Sequence, residues 1–122
     1  MTSRMRRARD ARGLIKRCEI EALARRIWRQ FKPIRIVLFG SYAWGRPNRE
    51  SDIDLFLEMP TRRDYSDLAT EIRCAVDPAF PLDIVIRTSA ELRSRLAQRD
   101  SFICDIVERG KVLHAARHAR VG

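Results

Sequence analysis

IVLFGSYAWGRPNRESDID, residues 36–54, joins an apolar run to a Gly40-Ser41 break, a short polar loop, and two carboxylates that open a second apolar run. Residues 42–51 separate Ser41 from Asp52, so the stretch has the form G-S-x10-D-x-D. Side chains alternate along a strand, which sets Asp52 and Asp54 on one face and Ile53, Leu55 and Leu57 on the other. Two like charges side by side on a strand repel. A divalent cation offsets that cost, because Mg2+ is held by one or two carboxylates together with the phosphates of its substrate. Gly40 lets the backbone turn sharply and approach a phosphate with no side chain in the way. Ser41 offers a hydroxyl at the same point and can cap a short following helix, whose amides favour an anion.

A third carboxylate lies further on. PLDIVIRT, residues 81–88, reads as a strand with Leu82, Ile84 and Ile86 on one face and Asp83, Val85 and Arg87 on the other. A helical pattern separates this strand from the one after Asp52, and such a crossover makes its two strands parallel. If the strands are neighbours, their starts align and Asp52, Asp54 and Asp83 converge. Taken singly, each feature has a plainer reading: a D-x-D pair often only solvates a strand start, G-S is an ordinary turn dipeptide, and Asp83 could be a solvated strand residue. Combined, with each at a strand end, they favour a site for a metal-bound nucleotide.

The rest of the chain supplies a frame of the right size. At 122 residues, with 45% hydrophobic and 34% charged side chains, it fits one globular domain. No apolar run approaches the roughly 18 residues of a membrane span. Cys18, Cys74 and Cys104 are odd in number and show no C-x-x-C spacing, which suits reduced thiols in a cytoplasmic protein. The net charge of +9 is concentrated at one end: residues 1–30 hold ten Arg and Lys against three acids, leaving +2 for the remainder. That basic leader is open to three readings: a solvated segment, a contact for nucleic acid or an acidic surface, or a transit peptide.

In chain order, residues 1–12 show no apolar period and are expected to fray. A helix is predicted over Leu14 to Phe31, with Ile20, Leu23, Ile27, Trp28 and Phe31 as its apolar stripe. Pro33 ends it and Ile34 to Phe39 form the first strand. Tyr42 and Trp44, in the short helix after Gly40, either stack on a base or wedge that helix onto the sheet. A second strand runs from Asp52 to Glu58 and a helix from Arg63 to Val76. After the Asp83 strand, T-S-A-E makes a capping box with Thr88 at the cap and Glu91 at its third position. Asp100 or Ser101 opens a last helix with Phe102, Ile103, Ile106 and Val107 facing inward, and Gly110 closes it. Lys111 to His114 adds a short edge strand. His114 and His118 are read as non-catalytic.

The composite motif resembles that of the minimal nucleotidyltransferases of the DNA polymerase beta superfamily, over roughly residues 19–115. The resemblance implies an α/β (α+β) nucleotidyltransferase fold, a small mixed sheet of three to four strands covered by helices. Residues 1–18 are then a basic, partly flexible segment and 116–122 a tail. It implies that Asp52 and Asp54 bind two Mg2+ ions, that Asp83 ligates one and helps activate the attacking hydroxyl, and that Gly40 and Ser41 hold the triphosphate of ATP. The family often reads G-S-x-A-R-G; here Trp44 stands in the place of that Arg, and Arg46 or Arg49 becomes a candidate to reach the phosphates.

With the chain spent on this one domain, no separate acceptor-binding domain is expected. Similar proteins, the MntA-type antitoxins of HEPN/MNT toxin-antitoxin modules, adenylylate a tyrosine of a HEPN-domain ribonuclease toxin. The expected function is therefore AMP transfer to such a partner. The alternatives are a small-molecule nucleotidyltransferase similar to the aminoglycoside-modifying enzymes, and a binding-only antitoxin with a vestigial site.

Overall fold

Alternating and near-continuous apolar runs become the strands of one mixed sheet. In the computed structural model, which describes residues 7–116, these are β1 (Arg35–Phe39), β2 (Ile53–Glu58), β3 (Leu82–Arg87) and β4 (Lys111–Ala115), in the order β3-β2-β1-β4. β2 and β3 are parallel, whereas β1 runs antiparallel to both β2 and β4. The helices are α1 (Arg17–Phe31), α2 (Ser41–Trp44), α3 (Tyr65–Val76), α4 (Ser89–Ala97) and α5 (Ser101–Arg109). α3 is the crossover that the parallel pair requires. Helix starts follow side-chain chemistry: the carboxylates of Asp64 and Asp100 and the hydroxyl of Thr88 accept hydrogen bonds from the amides of Asp67, Ile103 and Glu91.

Both faces of the sheet are covered, which is why β1 and β2 are so continuously apolar. On one face Ile36, Leu38, Ile53, Leu55, Leu57, Ile84 and Ile86 form a buried cluster with the inner sides of α1 and α3. Each such side chain contributes about 1.5–3 kcal/mol of burial free energy. On the other face Val37, Phe39 and Phe56 meet Leu92 of α4 and Ile103 and Ile106 of α5. By the period of two, this second face also carries Asp54 and Glu58 of β2 and Asp83 and Arg87 of β3. It therefore runs from carboxylates at the strand starts, across an apolar middle, to an ion pair at the far end. There Glu58 Oε1 lies 3.4 Å from the Arg35 guanidinium, and Oε2 accepts a hydrogen bond from Ser89 Oγ at 2.6 Å.

Three expectations are revised. α1 starts at Arg17 rather than near Leu14, because residues 8–16 close on themselves as a turn. The Asp10 carboxylate accepts from the amides of Arg12 and Leu14, Gly13 takes φ +84°, and Arg9 bridges to Ile15. Ala8 and Ile15 are buried in the core, so residues 8–12 are tied down rather than frayed; residues 1–6 lie outside the described residues. On α5 only Ile103 and Ile106 are buried, while Phe102 and Val107 are 47% and 44% exposed: four apolar residues span a wider arc than the sheet can cover. Gly110 closes α5 as expected, in extended backbone. What demands glycine there is crowding, since a Cβ would strike Ile106 O and Val37 Cγ1.

Cys18, Cys74 and Cys104 are free thiols. Among the described residues no helix is long and apolar enough to cross a membrane.

Candidate active site

Strand pairing assembles the site. Antiparallel register sets Phe39, the last residue of β1, opposite Asp54. Parallel register sets Asp54 opposite Asp83. Gly40 follows directly after Phe39, so the glycine-serine bend, Asp54 and Asp83 meet at one end of the sheet. Gly40 has φ +76° and ψ −155°, a conformation open essentially only to glycine. A Cβ there would collide with Oδ2 of Asp54; that carboxylate fills the space a side chain would need. Asp52 lies two residues before Asp54, just ahead of β2, and is exposed, as is Asp83; Asp54 is half-buried.

The charges are coupled. Burial raises the Asp54 pKa, and the negative charges of Asp83 and then Asp52 raise it further, from 3.8 to about 6. Among the described residues no group of three or more His, Cys, Asp or Glu forms a ready-made metal cage. The structure shows neighbouring hard oxygen donors whose mutual repulsion a divalent cation would relieve, and carboxylate donors of this kind suit Mg2+ or Mn2+. The residues therefore fit such an ion chemically.

Around this centre the short helix is wedged in place. Gly40, not Ser41, occupies its cap position, and its carbonyl accepts from the amides of Ala43 and Trp44 at 2.9 and 3.0 Å. Ser41 is thus the first helical residue and makes no cap. Tyr42 packs toward α1 and its hydroxyl accepts from Ile15 N at 3.0 Å. Trp44 packs on the opposite side against Phe39, with ring centroids 6.4 Å apart. Both aromatics hold the helix to the sheet.

Arg49 lies against Gly13, and its Nε donates to Arg12 O at 3.5 Å. Arg9 completes this contact by donating to Gly13 O at 2.6 Å and Arg49 O at 3.3 Å. The N-terminal turn is thereby stitched to the loop before Asp52, which the sequence pattern did not signal. His114 stands apart, its ring tilted 48° against that of Trp28 with centroids 4.8 Å apart. Burial, then the Lys32 charge, lowers its pKa. His118 lies outside the described residues.

A family model for the nucleotidyltransferase domain matches residues 20–114. Among solved structures, a toxin-antitoxin complex with AMP-PNP aligns at 29% identity and a TM-score of 0.52, covering 80% of this chain and 74% of that one. A mutant MntA-HpeT toxin-antitoxin, with two aspartates changed to glutamate two positions apart, aligns at 25% identity and a TM-score of 0.50, again covering 80% and 74%. No curated protein matches the sequence.

Proposed function

The chain belongs to the nucleotidyltransferase domain family, and we propose that it moves AMP from ATP to a hydroxyl on a partner protein, as the antitoxin of a toxin-antitoxin pair whose toxin is a HEPN-type ribonuclease modified on a tyrosine. The observation that carries this reading is the shared register of Phe39, Asp54 and Asp83, which joins the glycine-serine bend to the carboxylates. The toxin-antitoxin character of the two structural neighbours, and the nucleotide analogue in one of them, support the partner and the donor. The spacing of the two aspartates altered in the second equals that of Asp52 and Asp54.

In the proposed reaction the acceptor hydroxyl releases its proton to solvent with the help of Asp83, its oxygen bonds to the α-phosphorus, the bond from that phosphorus to the bridging oxygen breaks, and pyrophosphate leaves with the electron pair. Asp52, Asp54 and Asp83 would hold two Mg2+ ions, which when bound supply charge stabilisation for the attacking and leaving oxygens. The protein's own share is positioning, the chief requirement of phosphoryl-type transfer. Gly40 leaves its backbone bare beside Asp54, so a phosphate can approach closely. Ser41 offers its hydroxyl to the triphosphate. Asp52 and Asp83 are open to solvent, from which the acceptor hydroxyl arrives, and Asp83 helps to activate it. Asp54, with a pKa near 6, is mostly ionised at neutral pH and gives up its remaining proton when a cation arrives.

Co-expression with the toxin gene tests the proposal. A stable complex, and a mass increase of one AMP on a partner tyrosine after incubation with Mg-ATP, are expected. A partner that stays unmodified under those conditions overturns it.

A further inference from the structure

A triphosphate brings several negative charges to a bend already flanked by three carboxylates. Bound cations offset part of that charge, and a fixed basic side chain at the bend would offset more. α2 itself provides none: its residues are Ser41, Tyr42, Ala43 and Trp44. Of the two loop arginines expected to reach the phosphates, Arg49 is engaged by the N-terminal turn through Gly13 and Arg12 O, and Arg46 is exposed, with no hydrogen bond or ion pair among the described residues to fix it toward the bend.

A cation arrives instead from a distant part of the chain. Arg109, the last residue of α5, sets its guanidinium carbon 4.9 Å from the centre of the Trp44 ring. Trp44 in turn rests on Phe39, whose register partner is Asp54. Contact by contact, Arg109 is linked to the carboxylate end of the sheet. Among the described residues no carboxylate pairs with it, and its side chain is exposed. A guanidinium fixed only by an aromatic face keeps its in-plane N–H donors free, the geometry that suits bidentate phosphate contact. The same stacking covers one face of Trp44, which fits the ring's role as a support rather than a platform for a base. A purely structural role also exists for such a residue, since a cation at a helix C-terminus is mildly stabilising; the two roles differ in what they do to nucleotide binding.

We propose that Arg109, held in place by Trp44, contacts the phosphates of the nucleotide donor and so supplies the positive charge that position 44 lacks. This rests on the nucleotidyltransfer reading above.

The experiment titrates Mg-ATP and, separately, adenosine into the wild-type chain, Arg109→Ala, Arg109→Lys and the double variant Trp44→Arg/Arg109→Ala, with the KM for ATP measured alongside. Loss of one charged phosphate contact is expected to weaken ATP binding and raise KM about tenfold. Adenosine affinity should change little. Lysine should restore part of the loss, and arginine at position 44 most of it. Equal ATP binding by wild type and Arg109→Ala overturns this inference alone, as does a parallel loss of ATP and adenosine binding. A wild-type chain that binds no ATP overturns the inference and the proposed function together.

Discussion

Replacing Asp54 with Asn removes a carboxylate that the fold holds at a cost. Its pKa is raised from 3.8 to about 6 by burial and by the charges of Asp83 and Asp52. A raised carboxyl is one the folded state prefers protonated. Below about pH 4 the group is protonated whether the chain is folded or not, and the penalty is absent. Between about pH 4 and 6 the unfolded chain ionises first and stability falls; above that the full penalty applies. The shift from 3.8 to about 6 corresponds to about 3 kcal/mol at most. Solvent reaching a half-buried group trims this to about 1–2 kcal/mol. Asparagine matches the size and cannot ionise. In metal-free buffer with EDTA at pH 7.5, Asp54→Asn should therefore be more stable than wild type by about 1–2 kcal/mol, or several degrees in Tm. The gap should close as pH falls from about 6 to about 4. Adding Mg2+ and ATP should stabilise wild type by mass action and leave the variant nearly unmoved. Thermal unfolding followed by circular dichroism from pH 4 to 8 reads all of this. A gap that is constant with pH, or a metal-free wild type more stable than the variant at pH 7.5, would show that ionised Asp54 carries no such penalty.

Other substitutions probe the frame. Gly40→Ala forces a Cβ into the Asp54 carboxylate at φ +76° and should cost about 1–3 kcal/mol in chemical denaturation; a loss below about 0.5 kcal/mol would show that the bend is not strained in this way. Glu58→Ala removes a carboxylate 3.4 Å from the largely buried Arg35 guanidinium and the acceptor of the Ser89 hydroxyl, and should destabilise by about 1–3 kcal/mol, whereas the double change Arg35→Met/Glu58→Leu should recover most of that. Asp100→Ala removes the α5 cap on Ile103 N and should cost about 1 kcal/mol by the same measurement.

The elements around residues 36–54 were legible because their patterns are local. A period of two in PLDIVIRT places Asp83 on the same face as Asp54, and the intervening helix makes the strands parallel; the structure adds that the strands are neighbours in the register that sets Asp54 opposite Asp83. Thr88 and Asp100 announce their helices by side-chain chemistry alone. What stayed hidden depends on contacts between distant segments. The turn over residues 8–16 carries a usable signal in Asp10 and Gly13, but its anchoring to Arg49 and Tyr42 has none. The exposure of Phe102 and Val107 depends on how much of α5 the sheet can cover, which helical spacing does not state. Arg109 over Trp44 joins residues from opposite ends of the domain, and no periodicity links them.

Joint action of the side chains at 52, 54 and 83 on a nucleotide gripped at the bend is tested with ATP labelled at either the α- or the γ-phosphorus. Incubated with the partner and Mg2+, wild type should pass the α label to the partner and never the γ label, and Asp83→Asn, still folded, should pass neither at a measurable rate. Transfer of the γ label, or undiminished α transfer by Asp83→Asn, would contradict it.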